Sequence, residues 1–131
     1  MSQASLTVRS KFQQQIQRFL VTGVSAVLVD TLFYFLLIQV ISTSLSKMIS
    51  FLCGTILAYI LNKFWTFKKK AKSHIELFQY MGLYLSTLGI NVASNMLFLT
   101  FTSNKIIAFV FATGISASLN FIGQKWWVFK E

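Results

Sequence analysis

Four apolar stretches, separated by short polar joints, constrain the fold of this chain more than any other feature. They cover roughly residues 19–41, 48–65, 77–101 and 106–128, and each is near the roughly 20 residues that a membrane-spanning helix needs. Only 11% of the residues are charged and 55% are hydrophobic, whereas a soluble domain carries roughly a quarter charged residues. The sequence therefore predicts an all-α integral membrane protein, a single domain of four transmembrane helices over residues 1–131.

The distribution of basic residues predicts the orientation of these helices. The joints cover residues 42–47, 67–76 and 102–105 and are so short that consecutive helices must be antiparallel neighbours. Ten of the twelve Lys and Arg residues lie at the two termini, in the middle joint and at the helix ends next to them, and only Lys47 and Lys105 lie in the other joints. By the positive-inside rule, both termini and the middle joint face the cytoplasm.

The formal net charge of +9 would point to nucleic acid in a soluble protein. Here membrane geometry explains the charge, and we expect membrane lipids rather than nucleic acid as partners. The basic residues of the middle joint serve either as the topogenic signal alone or also as a site for anionic lipid headgroups or an acidic partner. These residues are Lys68, Lys69, Lys70 and Lys72.

The second half of the chain repeats the first. A shift of 62 residues aligns residues 62–68 (NKFWTFK) with residues 124–130 (QKWWVFK), and a shift of 61 aligns Asp30 with Asn91. Because each half holds two helices, both halves enter the membrane from the same side and are related by an axis along the membrane normal. The sequence therefore predicts two repeated helical hairpins. Repeat one covers about 17–68 and repeat two about 78–131.

Small and polar residues recur every four positions on one face of each predicted helix. Such stripes are typical of close helix packing and of interhelical hydrogen bonds. Since four short helices enclose little volume, a homodimer is a further expectation, with the stripes that contain Gly54 or Ser116 as alternative contacts. The four stripes are Thr22, Ala26 and Asp30; Ser50, Gly54, Ala58 and Asn62; Thr87, Asn91 and Asn95; and Ala112, Ser116, Asn120 and Gln124.

Asp30 is the one acidic residue of the stripes. It lies about twelve residues into the first predicted helix, near mid-bilayer, where an ionised carboxylate costs at least about 2.5 kcal/mol. It is expected either to be protonated and hydrogen-bonded to another stripe, or to face a cavity where it recognises a polar substrate or exchanges a proton. The cations near the predicted bundle, Arg18, Lys63 and Lys125, lie at the cytoplasmic ends, so we expect them to be too distant for a salt bridge.

The second and fourth helices end in matching aromatic and basic residues. Tryptophan is typical of the membrane interface, so these residues are either interface anchors or part of a ligand site. A cation beside an amide donor in a half-buried setting suits a phosphate oxygen, and an indole face suits an isoprenoid chain or a sugar ring. The two sets are Asn62, Lys63 and Trp65, and Gln124, Lys125 and Trp127.

No motif in the sequence indicates catalysis or a cofactor. The chain has no G-x-x-x-x-G-K-[ST] loop, no H-E-x-x-H and only three acidic residues. Its single cysteine, Cys53, has no partner for a disulfide and no companions that would bind a metal. We therefore expect a protein that is not an enzyme and that uses no cofactor and no metal.

The sequence QRFLVTG at residues 17–23, Asp30 and the sequence NKFWTF at residues 62–67 resemble the GtrA-like family of small four-span membrane proteins. The resemblance covers nearly the whole chain. In that family the second helix ends in a motif of the form Asn-[Arg/Lys]-x-Trp-[Thr/Val]-Phe. The second copy in this chain departs from the motif at Gln124, although Asn120, one turn earlier, offers a substitute amide.

The resemblance implies that the protein moves a polyprenyl-phosphate-linked sugar across the bacterial cytoplasmic membrane for cell-surface polysaccharide or glycan modification. The polar stripes would supply a groove for the headgroup, and the cations its cytoplasmic mouth. The implied substrate-binding residues are Arg18, Asp30, Asn62, Lys63, Trp65, Asn91, Asn120, Gln124, Lys125 and Trp127.

Two alternative functions stay open at the level of sequence. The protein could be a non-transporting membrane anchor or partner subunit of a glycosyltransferase, in which case every stripe is a helix contact. It could also be a small proton-coupled drug exporter with Asp30 as the proton and cation site. The ten-to-two distribution of Lys and Arg residues argues against the dual insertion that such exporters use.

Overall fold

The computed structural model describes residues 2–70 and 73–130, and each of these two ranges forms a compact unit. Each unit is an α-helical hairpin, called hairpin one and hairpin two below. Four helices are long and apolar enough to cross a membrane, which confirms the predicted all-α architecture with four transmembrane helices. The predicted repeat and single domain stay predictions. Lys72 of the basic middle joint and the last residue of repeat two lie outside the described residues.

Hairpin one consists of α1, Gln3–Leu37, and α2, Thr43–Leu61, which continues into a π-helical segment, π1, Asn62–Thr66. Helix α1 starts well before the predicted span at residue 19, because the polar N-terminal segment is itself helical. It also ends four residues earlier than predicted, and α2 begins five residues earlier. The early start of α2 has a local cause, since the Ser42 hydroxyl accepts a hydrogen bond from the Leu45 N–H at 3.3 Å and caps the helix.

Hairpin two consists of α3, His74–Thr102, and α4, Lys105–Gly123, followed by a second π-helical segment, π2, Gln124–Val128. The two helices are joined by a turn of only two residues. Ser103 adopts the left-handed conformation with φ 53° and ends α3, while the Asn104 side chain accepts hydrogen bonds from the N–H groups of Ile106 and Ile107. The turn therefore ends one helix and caps the next.

The two π-helical segments lie at equivalent places in the two hairpins. The Phe67 N–H donates to the Asn62 carbonyl oxygen at 2.9 Å, and the Phe129 N–H donates to the Gln124 carbonyl oxygen at 2.8 Å. A π-helical turn holds one more residue than an α-helical turn, is rare, and is often found at functional sites. In each hairpin the π-helical segment rotates the aromatic and basic residues relative to the helix that precedes them. We call the end of the hairpin that carries these residues the basic end, and the opposite end the turn end.

Polar side chains lie inside each hairpin, and large apolar side chains lie outside. Outward-facing residues such as Val27, Leu32, Leu85 and Val110 are more than half exposed, as expected where lipid rather than protein covers the surface. Between the helices, small and polar residues allow close approach and hydrogen bonding. The buried polar residues in or near the predicted stripes include Thr22, Ser46, Ser50, Thr55, Asn62, Thr87, Ser116 and Gln124.

Candidate functional site

Arg18 and Trp65 meet at the basic end of hairpin one. Arg18 Nη1 donates a hydrogen bond to the Trp65 carbonyl oxygen at 2.9 Å, and the guanidinium carbon lies 5.2 Å from the centre of the indole ring. The carbonyl oxygen is accessible because the last turn of a helix lacks intrahelical donors. A guanidinium has five N–H donors, so this contact leaves others for a ligand.

Asn62 and Lys63 lie beside this pair but are turned inward. They are only 3% and 4% exposed. The Asn62 Oδ1 atom accepts a hydrogen bond from the Thr66 hydroxyl at 3.0 Å, and the Lys63 ammonium lies 5.4 Å from the Phe64 ring and 5.9 Å from the Tyr59 ring. Of the residues predicted at this end, Arg18 is therefore the more accessible cation and Lys63 the buried one.

Asp30 lies near the turn end of hairpin one in a polar cluster with Lys47 and Ser50. The Lys47 ammonium donates to Asp30 Oδ2 at 2.9 Å and to Oδ1 at 3.1 Å, and the Ser50 hydroxyl donates to Oδ1 at 2.7 Å. The Asp30 side chain is 19% exposed, whereas the Lys47 side chain is 58% exposed. The carboxylate therefore has three short donor contacts, and its cation faces outward.

This cluster corrects one expectation about Asp30. The expected absence of a salt bridge is wrong, because the partner of Asp30 is Lys47, which lies inside α2 and not in the joint. Asp30 precedes the end of α1 at Leu37 by seven residues, or about 10 Å of helix.

The partners of Asp30 could have been predicted from the sequence by the antiparallel geometry of a hairpin. With a short joint centred near residue 40, residues at equal distances before and after it face each other. Asp30 and Ser50 are ten residues on either side, and Lys47 is one turn nearer to the joint.

Gly54 allows the two helices of hairpin one to approach closely, one turn from this cluster toward the basic end. A Cβ atom at Gly54 would lie 2.8 Å from the Ala26 carbonyl oxygen and 3.3 Å from Asp30 Cβ. This stripe is therefore a helix contact within hairpin one. The close approach positions the Asp30 side chain against α2.

Asn91, the residue that corresponds to Asp30, makes a neutral polar contact in hairpin two. Asn91 Nδ2 donates to the Ser116 hydroxyl oxygen at 2.8 Å, and the Ser116 hydroxyl in turn is 3.2 Å from the Thr113 carbonyl oxygen. Beside this contact is a small cleft of about 80 Å³. Its lining residues are Tyr84, Thr87, Leu88, Asn91, Ser116 and Asn120.

Two amide oxygens in hairpin two are buried and accept no hydrogen bond from the described residues. These are Oδ1 of Asn120, in the cleft, and Oε1 of Gln124, one turn further along. A buried polar atom without a hydrogen bond costs about 1–3 kcal/mol, so such atoms need an explanation. Both are acceptors and would bind a ligand or water that brings N–H or O–H donors.

The remaining predicted residues lie at the basic end of hairpin two. Lys125 is half-buried, and its ammonium lies 5.3 Å from the Trp126 ring centre. Trp126 and Trp127 are about half exposed, as expected for aromatic residues at a membrane interface.

The structure therefore arranges the ten predicted residues in four places. Hairpin one has Arg18 with Trp65 beside Asn62 and Lys63, and separately Asp30, which is twelve residues or about 18 Å along α1 from Arg18. Hairpin two has Asn91 and Asn120 in the cleft, and Gln124, Lys125 and Trp127 in π2. Sequence reasoning did not include four neighbouring residues among the site residues: Lys47, Ser50, Tyr84 and Ser116.

Comparison with known proteins identifies the family to which the chain belongs. The pattern of the family described as GtrA/DPMS, transmembrane domain, matches residues 18–129. The chain is 28% identical to the uncharacterized membrane protein YngA of Bacillus subtilis (strain 168) over 129 residues, which cover 96% of this chain and 86% of YngA. It is 21% identical to the uncharacterized membrane protein YwcD of the same organism over 120 residues, which cover 86% of this chain and 94% of YwcD. The chain therefore belongs to the GtrA/DPMS transmembrane domain family, a family of multi-pass membrane proteins with a general role in handling lipid-linked sugars.

Proposed function

We propose that the protein moves a polyprenyl-phosphate-linked sugar across the bacterial cytoplasmic membrane, with both termini on the cytoplasmic side. Family membership supports the general role, and the polar contacts inside the two hairpins support transport of a polar headgroup. Such a headgroup needs hydrogen-bond partners while it crosses, because the bilayer core offers none. The isoprenoid chain needs none and stays in lipid.

The observation that carries this proposal is the polar cleft of hairpin two. Its Asn120 Oδ1 and the nearby Gln124 Oε1 are buried acceptors without donors among the described residues. Sugar hydroxyl groups are donors, and Tyr84 in the lining adds an aromatic face of the kind that packs against a sugar ring. A volume of about 80 Å³ holds part of a sugar ring, so the cleft would bind one edge of the headgroup.

The basic end of hairpin one supports a role in binding the phosphate. Arg18 is half-buried and has N–H donors beyond the one that contacts Trp65. A guanidinium recognises phosphate oxygens through paired N–H groups, and the adjacent indole has an apolar surface for the first isoprene units. Lys63, although buried, adds positive charge at the same end.

The drug-exporter alternative is disfavoured by the ion pair of hairpin one. An exporter of cations needs a carboxylate that is available to the drug. Here both Asp30 oxygens are within 3.1 Å of the Lys47 ammonium, so a cationic drug would have to displace it.

Transbilayer movement in liposomes tests the proposal. A short-chain polyprenyl-phosphate sugar is added to one leaflet, and its access to a glycosyltransferase at the other leaflet is followed with time. We expect movement faster than in empty liposomes, and we expect Asn120→Ala to slow it. Ser118→Ala is the matched control, since Ser118 is exposed on the same helix and its hydroxyl bonds back to the Gly114 carbonyl oxygen.

The same assay distinguishes the carrier from the anchor. A protein that is folded and inserted but gives the rate of empty liposomes would contradict transport. A membrane anchor or partner subunit of a glycosyltransferase would then be the better account, with the polar contacts serving only to hold the helices together.

A further inference from the structure

The ion pair of Asp30 and Lys47, near the turn end of hairpin one, is not accounted for by phosphate binding at the basic end. Lys47 has three N–H donors, and two of them contact the carboxylate oxygens of Asp30. Its side chain is 58% exposed, so its ammonium is available from outside the hairpin. The ammonium also lies 5.8 Å from the centre of the Tyr34 ring, within the range of a cation–π contact.

Packing alone does not account for this pair, as hairpin two shows. Under the shifts of 61 and 62 residues, the positions of Asp30, Lys47 and Ser50 correspond to Asn91, Phe109 and Ala112. Hairpin two joins its helices with the neutral pair of Asn91 and Ser116. A hairpin with this packing therefore does not need a charged residue at the position of Asp30. Hairpin one nevertheless has an ion pair there, although charged groups are costly in lipid.

We propose that Lys47 binds the phosphate of the lipid-linked sugar at the turn end of hairpin one, and that Asp30 competes with the phosphate for the Lys47 ammonium. This inference rests on the proposed function and names a second phosphate contact for it. An exposed ammonium in this position attracts an anion rather than a cation or a neutral sugar. The turn of hairpin two is followed by a lysine as well, Lys105. It has no carboxylate contact among the described residues.

Competition from Asp30 gives the site the weak affinity that a release site needs. Transport requires that binding be favourable enough for entry and weak enough for exit. With Asp30 ionised, the cluster of Asp30 and Lys47 has no net charge, so a phosphate gains less from Lys47 than from an unpaired cation. As the phosphate leaves, Asp30 takes back the ammonium and the Ser50 hydroxyl stabilises the carboxylate.

The spacing along α2 and π1 agrees with two contacts at opposite sides of the membrane. Lys47 and Lys63 are sixteen residues apart, or about 24 Å along a helix. The hydrocarbon core of a bilayer is about 30 Å thick. Hairpin one therefore carries a cation near each end of its membrane-spanning part.

Binding of citronellyl phosphate to the protein in phosphatidylcholine nanodiscs tests the inference. Removing the competing carboxylate in Asp30→Asn should tighten binding by about tenfold or more, because a close like charge no longer repels the phosphate and no longer pairs with the Lys47 ammonium. That gain should vanish in the double variant Asp30→Asn/Lys47→Gln. Any binding at the basic end contributes equally to all variants, so the comparison isolates Lys47.

Controls separate this site from general effects. Lys105→Gln removes an equal charge from the other turn and should leave the affinity unchanged, and citronellol, which lacks the phosphate, should not respond to Asp30→Asn. If Asp30→Asn does not yield a monodisperse protein, Asp30→Ser serves instead, since Ser can still pair with Ser50.

Two results would overturn the inference: no gain in affinity in Asp30→Asn, or the same gain whether residue 47 is Lys or Gln. Either would make the ion pair a packing element only. These results are distinct from failure of the proposed function. Liposomes without transbilayer movement, together with the predicted coupling between residues 30 and 47, would leave a phosphate site in a protein that does not transport.

Discussion

Gly54 and Gly123 show how closely the helices of each hairpin approach at single residues. A Cβ atom at Gly54 would lie 2.8 Å from a backbone oxygen of α1, whereas a Cβ atom at Gly123 would meet only the end of the Leu83 side chain, at 2.5 Å. Gly23 has no atom within 4 Å of the same position. A backbone atom cannot move aside without moving its helix, but a leucine side chain can change rotamer.

These contacts predict an order of destabilisation for substitution by alanine. Gly54→Ala should lower stability by about 1–3 kcal/mol, as overpacking does, Gly123→Ala should lower it less, and Gly23→Ala should not lower it. Thermal unfolding in detergent micelles measures the order. Equal effects at positions 54 and 23 would show that the close approach of α1 and α2 does not require glycine at position 54.

The sequence predicted the helix faces that lie inside each hairpin better than it predicted the contacts between those faces. The stripes correctly identified Gly54, Asp30 and Asn91 as interior positions because a four-residue period fixes a helix face. The ion pair with Lys47 was missed because the helix bounds were wrong by several residues. Capping by Ser42 brings Lys47 into the helix and within reach of Asp30.

At the scale of elements, both residues of the turn between α3 and α4 specify its geometry. Ser103 has a positive φ of 53°, which costs a residue with a Cβ atom about 1 kcal/mol or more. Asn104 accepts hydrogen bonds from two N–H groups of the first turn of α4. Both residues are exposed, so their effects are local.

Substitutions in this turn should change stability in opposite directions. Ser103→Gly should raise the unfolding temperature, because glycine adopts the left-handed conformation without a steric cost. Asn104→Ala should lower stability by about 1 kcal/mol through loss of the cap. Calorimetry or thermal unfolding of the two variants provides the test, and effects of the same sign would contradict the turn geometry.

The π-helical segments were not predictable from sequence patterns. Residues 62–66 and 124–128 continue apolar helices without proline or any other local signal. The matching endings NKFWTFK and QKWWVFK nevertheless indicated that both ends are built alike, and both adopt π-helical hydrogen bonding. What was missed is the extra residue in the turn, which changes the directions of the residues that follow.

At the scale of the whole molecule, the charge distribution predicts how the chain is inserted. Ten of the twelve Lys and Arg residues belong to the termini, the middle joint and the helix ends next to them. This distribution predicts both termini and the middle joint on the cytoplasmic side. It also predicts Lys47 and Lys105 on the opposite side, where we propose that the substrate is released.

Labelling of single cysteines measures this orientation. In a Cys53→Ser background, Ser103→Cys should react with a membrane-impermeant maleimide in intact cells. Ser10→Cys and Ser73→Cys should react only after the cytoplasmic membrane is made permeable. All three serines are exposed in the structure. Labelling of every position from both sides would indicate dual insertion, contrary to the positive-inside prediction.

The rate of transbilayer movement of a short-chain polyprenyl-phosphate sugar in liposomes tests the central claim most directly. The variant Lys63→Gln/Lys125→Gln removes one cation from the basic end of each hairpin, and Arg9→Gln/Lys11→Gln removes an equal charge from the exposed N-terminal part of α1. A carrier predicts movement well above empty liposomes for the wild-type protein and the N-terminal variant, and loss of movement in the Lys63 and Lys125 variant. Wild-type protein that is folded and correctly inserted but no faster than empty liposomes would contradict the account.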